Sequence, residues 1–220
     1  MGDQFEASVP FETLRKEEEI AKVGGGFSRY GRKRVKKARK RNRKFAFLNC
    51  WHLNEYGESA AMWDLYSNNN VAIKTTFSKL RKSLQKSDEE IKFTKVKYLD
   101  FRPDGDQMPE EDRQKGWTHY VYKRKSFEHE KELRAIVWKP VRIEAQGSER
   151  DDGIKPDELT ESMLAENLFV EVDTDILISE IRISPKRGQE FEDLVSLVIK
   201  RHGFDEEIVV KSDLDHDPLF

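Results

Sequence analysis

Glu128, Glu130 and Glu132 stand at alternate positions in the stretch KRKSFEHEKELRAI, Lys123 to Ile136. A basic cluster precedes them and an apolar run follows. Side chains on a strand repeat every second residue, so the three glutamates and Arg134 share one face if the strand starts early enough. Their Cα atoms are then roughly 7 Å apart. Carboxylates that close repel. Something must hold them, either a cationic partner (Lys123 or Arg134) or a cationic substrate. A rigid strand that offers adjacent acids to a cleft is a scaffold for catalysis. The bland alternative, which spacing alone favours, is an exposed edge strand with Glu–Arg pairing. Leu133, Ala135 and Val137 on the opposite face anchor either version in a core.

A second constellation, NCWHLNEYGESAAMW, runs from Asn49 to Trp63. It gathers His52, Asn54, Glu55, Tyr56, Ser59 and Trp63 around a strand-to-helix turn, the kind of place where polar and aromatic side chains line a pocket. His52 and Glu55 make a poor metal pair, because the spacing is loose and no second histidine is near; no metal is expected. Trp63 and Tyr66 read as core packing. Cys50 reads as a small core residue of a strand rather than a nucleophile. The chain has no G-x-x-x-x-G-K-[ST] phosphate loop and no G-x-S-x-G elbow.

The elements that must position these groups follow from periodicity and punctuation. Phe11 to Val23 reads as a charged helix and GGGF, Gly24 to Phe27, as a break. A basic helix is expected from about Arg32. FAFLNCW, Phe45 to Trp51, reads as a buried strand. Glu58 to Tyr66 reads as a short helix, with Ala61, Met62, Leu65 and Tyr66 at helical spacing. Val71–Phe77, Phe93–Leu99, Glu132–Trp138, Leu168–Asp173, Ile178–Ser184 and a final EIVVKSD read as strands. Phe77 to Gln85 and Gln189 to Gly203 read as helices, the second ending at Gly203. Trp117 to Tyr122 reads as strand or helix entry. Arg102 to Gly116 is a polar loop, and Glu144 to Glu158 is loop or disorder. Irregular alternation of short strands and helices gives an α+β fold in one domain. A charged helical region over residues 1–44 precedes a core over 45–220.

Composition bounds the rest. The 220 residues are 36% hydrophobic and 37% charged, with four Trp and thirteen Phe to build a core. The net charge of −2 argues against a general polyanion binder. A single Cys cannot form an intrachain disulfide, which fits a reducing cytoplasm. No apolar run is long enough for a membrane span, and no signal peptide opens the chain. Charge is nonetheless uneven: Arg29 to Lys44 carries eleven Lys and Arg and no acid. Through Arg32, Lys33, Lys36, Lys37, Arg39 and Lys40, this segment is either a nucleic-acid surface or a solvated basic helix balancing acidic neighbours. No aromatic residue lies within Gly31 to Lys44 to stack on bases.

Several blocks, taken in order, carry a resemblance: FLNCWHLNEYGESAAMWDLYSNNNVAIKTTF, KVKYLDF, KRKSFEHEKELRAI, VEVD with ISEIRISP, and KSDLDHDPLF. The chain resembles a large, mostly bacterial family of domains of unknown function. Its members share an N-C-W-H…E-S-A-A-M-W-x-L-Y block and a K-R-x-S-F-E-H-E-x-E-x-R block. The order of the blocks is also similar to that of ADP-ribosyltransferases, which implies a small split mixed or antiparallel sheet flanked by helices. It also implies NAD as substrate, a protein or nucleic-acid acceptor, and a toxin or phage-defence setting.

On that resemblance, Glu130 and Glu132 are catalytic. Glu132 or Glu130 accepts a hydrogen bond from a ribose hydroxyl as positive charge develops at the anomeric carbon. The other acid orients or deprotonates an acceptor. Trp51 and Trp63 stack on the nicotinamide, and His52, Asn54, Tyr56, Ser59, Lys123 and Arg134 line the site, with Arg134 chiefly a structural partner of the acids. The chain begins at a block that longer members carry after a first strand and helix. The first motif is missing, and weak NAD binding or inactivity is the expectation. Two other function classes remain open: a non-enzymatic nucleic-acid or protein-binding module, and a metal-dependent nuclease using Glu128, Glu130 and Glu132.

Overall fold

The computed structural model describes residues 8–23, 46–55, 57–66, 70–113, 116–139 and 167–215. The basic segment, Tyr56 and the 144–158 stretch lie outside them. Helices mix with small open sheets, as an α+β class requires. Where the sequence reads as one domain, the chain gathers into two compact units, each built from two separated segments. One comprises Met1–Leu53 and Glu90–Leu168, the other Asn54–Glu89 and Phe169–Phe220.

The first unit is organised by an antiparallel three-stranded sheet in the order β1–β6–β3: β1 is Ala46–His52, β3 Ile91–Lys95 and β6 Glu132–Trp138. The exposed-edge reading of Glu132–Trp138 is therefore corrected. β6 is the central strand, and every residue from Glu132 to Val137 is buried. On one face Ile136 packs with Tyr120, with Ala46, Leu48 and Trp138 around them. Burying such a side chain contributes about 1.5–3 kcal/mol. Leu133, Ala135 and Val137 fill the other face, as expected.

The expected strand over Phe93–Leu99 is two strands. At Val96 the chain changes partner: Val96 N–H donates to Glu132 O at 2.8 Å, and Lys97 N–H donates to Val121 O at 2.8 Å. The continuation, β4 (Lys97–Leu99), pairs in parallel with β5 (Tyr122–Arg124). Met108, Val121 and Tyr122 form a second core beneath this pair. Trp117, read as strand or helix entry, lies on a 3₁₀ turn, Gly116–Tyr120.

Helix α1 (Phe11–Val23) matches its sequence pattern. Its first turn is tied to the loop after β4. Thr13 Oγ1 accepts Met108 N–H at 2.9 Å, and Glu12 Oε1 accepts Asp104 N–H at 3.1 Å. That loop is closed tightly, with Asp106 Oδ2 accepting Asp100 N–H at 2.7 Å and Asp106 N–H returning to Asp100 O at 2.9 Å.

The second unit contains α2 (Ala60–Tyr66), β2 (Val71–Lys74), α3 (Phe77–Ser83), α5 (Thr174–Leu177), β7 (Glu180–Ile183), α6 (Gln189–Arg201) and β8 (Val209–Lys211); α4, Glu110–Arg113, belongs to the first unit. Its sheet runs β2–β7–β8, antiparallel then parallel. Thr76 caps α3, its hydroxyl accepting Lys79 N–H at 3.3 Å, so Phe77 opens a helix rather than ending a strand. Gly203, at φ +84°, stops α6 as its sequence position suggests. The expected strand over Leu168–Asp173 is not formed. The segment pairs with no strand among the described residues, and Phe169 is 93% exposed. Two further expectations are corrected: Cys50 and Tyr66 are exposed, not core.

Candidate functional site

Glu128 and Glu130 do not continue β6. They lie on a 3₁₀ helix, Lys125–Glu130, which ends at Lys131 with φ 40° and ψ 56°. That left-handed residue turns the chain sharply, and Glu132 opens the strand. The strand-like alternation is thus broken, yet the turn still delivers two of the three acids to one point. Glu128 is exposed and separate from them.

The point is Lys123, on β5. Its Nζ lies 2.5 Å from Glu130 Oε2 and 2.7 Å from Glu132 Oε1, and 4.7 Å from the centre of the Phe127 ring. Arg134 Nε donates to Glu132 Oε2 at 2.6 Å, and its NH1 donates to Tyr120 O at 2.7 Å. Exposures are 7% for Lys123, 6% for Glu130, 7% for Glu132 and 0% for Arg134. Four ionisable groups out of water are tolerable only because each carries a partner. Tyr98 OH accepts Glu132 N–H at 2.9 Å, which fixes the start of the strand.

Burial acts on the two acids with different outcomes. For Glu130, burial and the hydrogen bond to Glu132 raise the carboxyl above its ordinary value, against the pull of Lys123. For Glu132, burial also pushes up, but hydrogen bonds from Glu130, Arg134 and Lys123 outweigh it and hold the group well below the usual carboxylate range. Burial lowers Lys123, yet its bonds to the two acids leave it raised. The arrangement holds a proton on Glu130 more readily than on Glu132, an acid pair whose members are pushed apart.

The other expected site residues divide between the units. His52 pairs across the sheet with Glu132, and its Nδ1 is 2.7 Å from Glu130 O. Trp51 pairs with Leu133 and therefore projects from the opposite face to Glu132. Asn54, Ser59 and Trp63 belong to the second unit. There Ser59 Oγ accepts Met62 N–H at 3.3 Å, the bond of a helix cap.

Trp63 Nε1 donates to Glu58 Oε2 at 2.8 Å, and this leads to a cluster that the sequence reading missed. Glu58 also accepts from Ser212 Oγ, from Arg182 NH1 and, at 3.1 Å, from Asp213 N–H. Burial pushes the Glu58 carboxyl up, but the bonds from Ser212, Asp213, Trp63 and Arg182 bring it below its ordinary value. Arg182 lies 124 positions from Glu58 in sequence, so no local pattern signals the pairing. Among the described residues, no group of three or more His, Cys, Asp or Glu is disposed to hold a metal ion, and no helix is long and apolar enough to cross a membrane.

The fold and site define an α+β protein with a buried carboxylate–lysine–arginine cluster at the start of its central strand. Residues 62–135 match the family model described as protein of unknown function (DUF2971). The matched segment holds Lys123, Glu130, Glu132 and Arg134; Trp51 and His52 precede it. No curated protein and no solved structure matches the chain.

Proposed function

We propose that this chain acts on NAD, cleaving the nicotinamide–ribose bond with transfer of ADP-ribose to an acceptor or to water. The observation that carries this reading is the convergence of Glu130 and Glu132 on one ammonium, beside the NCWH strand. An acid pair that grips a cation at 2.5 and 2.7 Å suits a reaction in which positive charge grows on a sugar. Bound NAD supplies that bond and its leaving group. Glu132, held ionised, opposes the developing charge. Glu130, whose carboxyl is raised, takes the proton of the attacking hydroxyl or water. Both acids are buried, so they meet a substrate only once Lys123 lets go of one of them. The test is release of free nicotinamide when the chain is incubated with NAD, with and without protein and nucleic-acid acceptors; no release under any of these conditions defeats the reading.

The burial of all four groups favours a second reading, in which the cluster is a strut. Arg134, fully buried and bonded to Tyr120 O, then ties β6 to the Gly116–Tyr120 turn, and the acids only hold its charge. This account predicts large folding effects from the same residues and no chemistry.

A further inference from the structure

Helix α6 of the second unit carries two apolar faces. Phe191, Val195 and Ile199 are half-buried, and beside them Gln189 and Glu192 hold Lys211 of β8 at 3.0 and 3.2 Å. Away from them Leu194 is 55% exposed, Leu197 66% and Val198 45%. A surface helix needs one apolar stripe to join its own core; a second one is a contact surface. The exposed stripe has charged ends. Glu190 and Arg201 are exposed, and neither side chain makes a hydrogen bond or ion pair among the described residues. At 100° per residue, Glu190, Leu194, Leu197 and Arg201 fall within an arc of about 60° and rise over about 16 Å.

These four residues are spaced four, three and four positions apart, the spacing by which one helix meets another. Read from the other end, the stripe keeps its spacing and exchanges acid for base. It is therefore complementary to itself, as a two-fold interface requires. Laid antiparallel about an axis between Leu194 and Leu197, Glu190 meets the partner's Arg201 and Leu194 meets the partner's Leu197. Val198 flanks this seam on one side. On the other flank Asp193 comes level with the partner's Lys200. The flank charges are partly taken up, because Asp193 accepts from Gln189 at 3.0 Å and Lys200 lies 3.7 Å from Glu206. The seam charges are not.

We propose that α6 is a self-association surface, pairing antiparallel with α6 of a second copy of this chain. The proposal does not depend on the reading of Glu130 and Glu132. One face of a 13-residue helix is narrow, so the dimer is weak and its population follows protein concentration. Sedimentation of the full chain over a concentration series at low salt tests it, with thermal midpoints recorded on the same samples. The mass rises from one chain to two. Glu190→Lys or Arg201→Glu alone puts two like-charge pairs into the interface and weakens association by about tenfold. The two substitutions combined in one chain reverse each pair without breaking it and restore association. Leu197→Glu leaves a folded monomer. Four results overturn the proposal: one chain at every concentration, association unchanged by either single reversal, a combined variant that associates no better than the singles, or a dimer that survives Leu197→Glu.

Discussion

His52 Nδ1 lies 2.7 Å from the main-chain carbonyl oxygen of Glu130. The end of β1 is thereby fastened to the turn that swings Glu130 and Glu132 onto Lys123. A bond between residues 78 positions apart does what no local signal could, fixing a left-handed corner at a non-glycine residue, Lys131.

Removal of the Lys123 charge tests how tightly this corner is held. Lys123→Met leaves Glu130 without its cationic partner and Glu132 with Arg134 only. Breaking a buried pair from one side costs about 3–5 kcal/mol. Glu130→Gln costs less, because Lys123 keeps Glu132 as its acidic partner and the glutamine oxygen can still accept from Nζ. Urea unfolding midpoints rank the variants: wild type highest, Glu130→Gln close below, Lys123→Met far below. A Lys123→Met protein as stable as wild type contradicts the role given to the ammonium.

The Glu58 cluster gives a pH-dependent prediction. Glu58 sits below its ordinary value when folded, so its contribution is present above the unfolded value of about 4.3 and is lost as pH falls through the folded one. Glu58→Gln is expected to lower stability by about 1–3 kcal/mol at neutral pH, through weakened bonds to Arg182, Ser212 and Trp63. The gap between wild type and variant closes as pH drops below about 4.3. Denaturation followed at a series of acidic pH values checks this. A gap that widens on acidification contradicts it.

Gly105→Ala tests the closed loop. The new methyl would press on two main-chain carbonyls, which cannot rotate away as a side-chain tip can. A cost of about 1–3 kcal/mol is expected from such overpacking, read as a lower thermal midpoint. An unchanged midpoint means that the Asp100–Asp106 loop yields more readily than its geometry implies.

The regular elements were legible where one periodicity ran unbroken. α1, α6, β1, β6 and the last two strands follow 3.6- or 2-residue patterns close to their observed ends. The 3₁₀ turn through Glu128 and Glu130 was not legible, because its alternating acids mimic a strand and its corner at Lys131 carries no glycine. Leu168–Asp173 alternates well, but alternation makes a strand only when a neighbouring edge accepts it. Cys50 and Tyr66 looked buried by type and are not. The two compact units each take two distant segments of chain, and no linker composition marks the crossings. For the site, the need for a cationic partner, Lys123 or Arg134, was readable from the closely spaced acids; the convergence itself was not, because spacing put Glu128 on the same strand face and favoured an exposed edge. The Glu58–Arg182–Ser212 cluster was not, since its members lie far apart in sequence.

The central claim is that Glu130 and Glu132 perform chemistry rather than only hold a strand. The most direct measurement is nicotinamide release from NAD by wild type and Glu130→Gln, with thermal unfolding recorded on the same preparations. Glutamine keeps the shape of the acid and can still accept from Lys123 but cannot take a proton. The account predicts a folded variant whose release rate falls by about 10²–10⁴. A folded variant that releases nicotinamide as fast as wild type, or a wild type that releases none, contradicts it and leaves the acids as a strut.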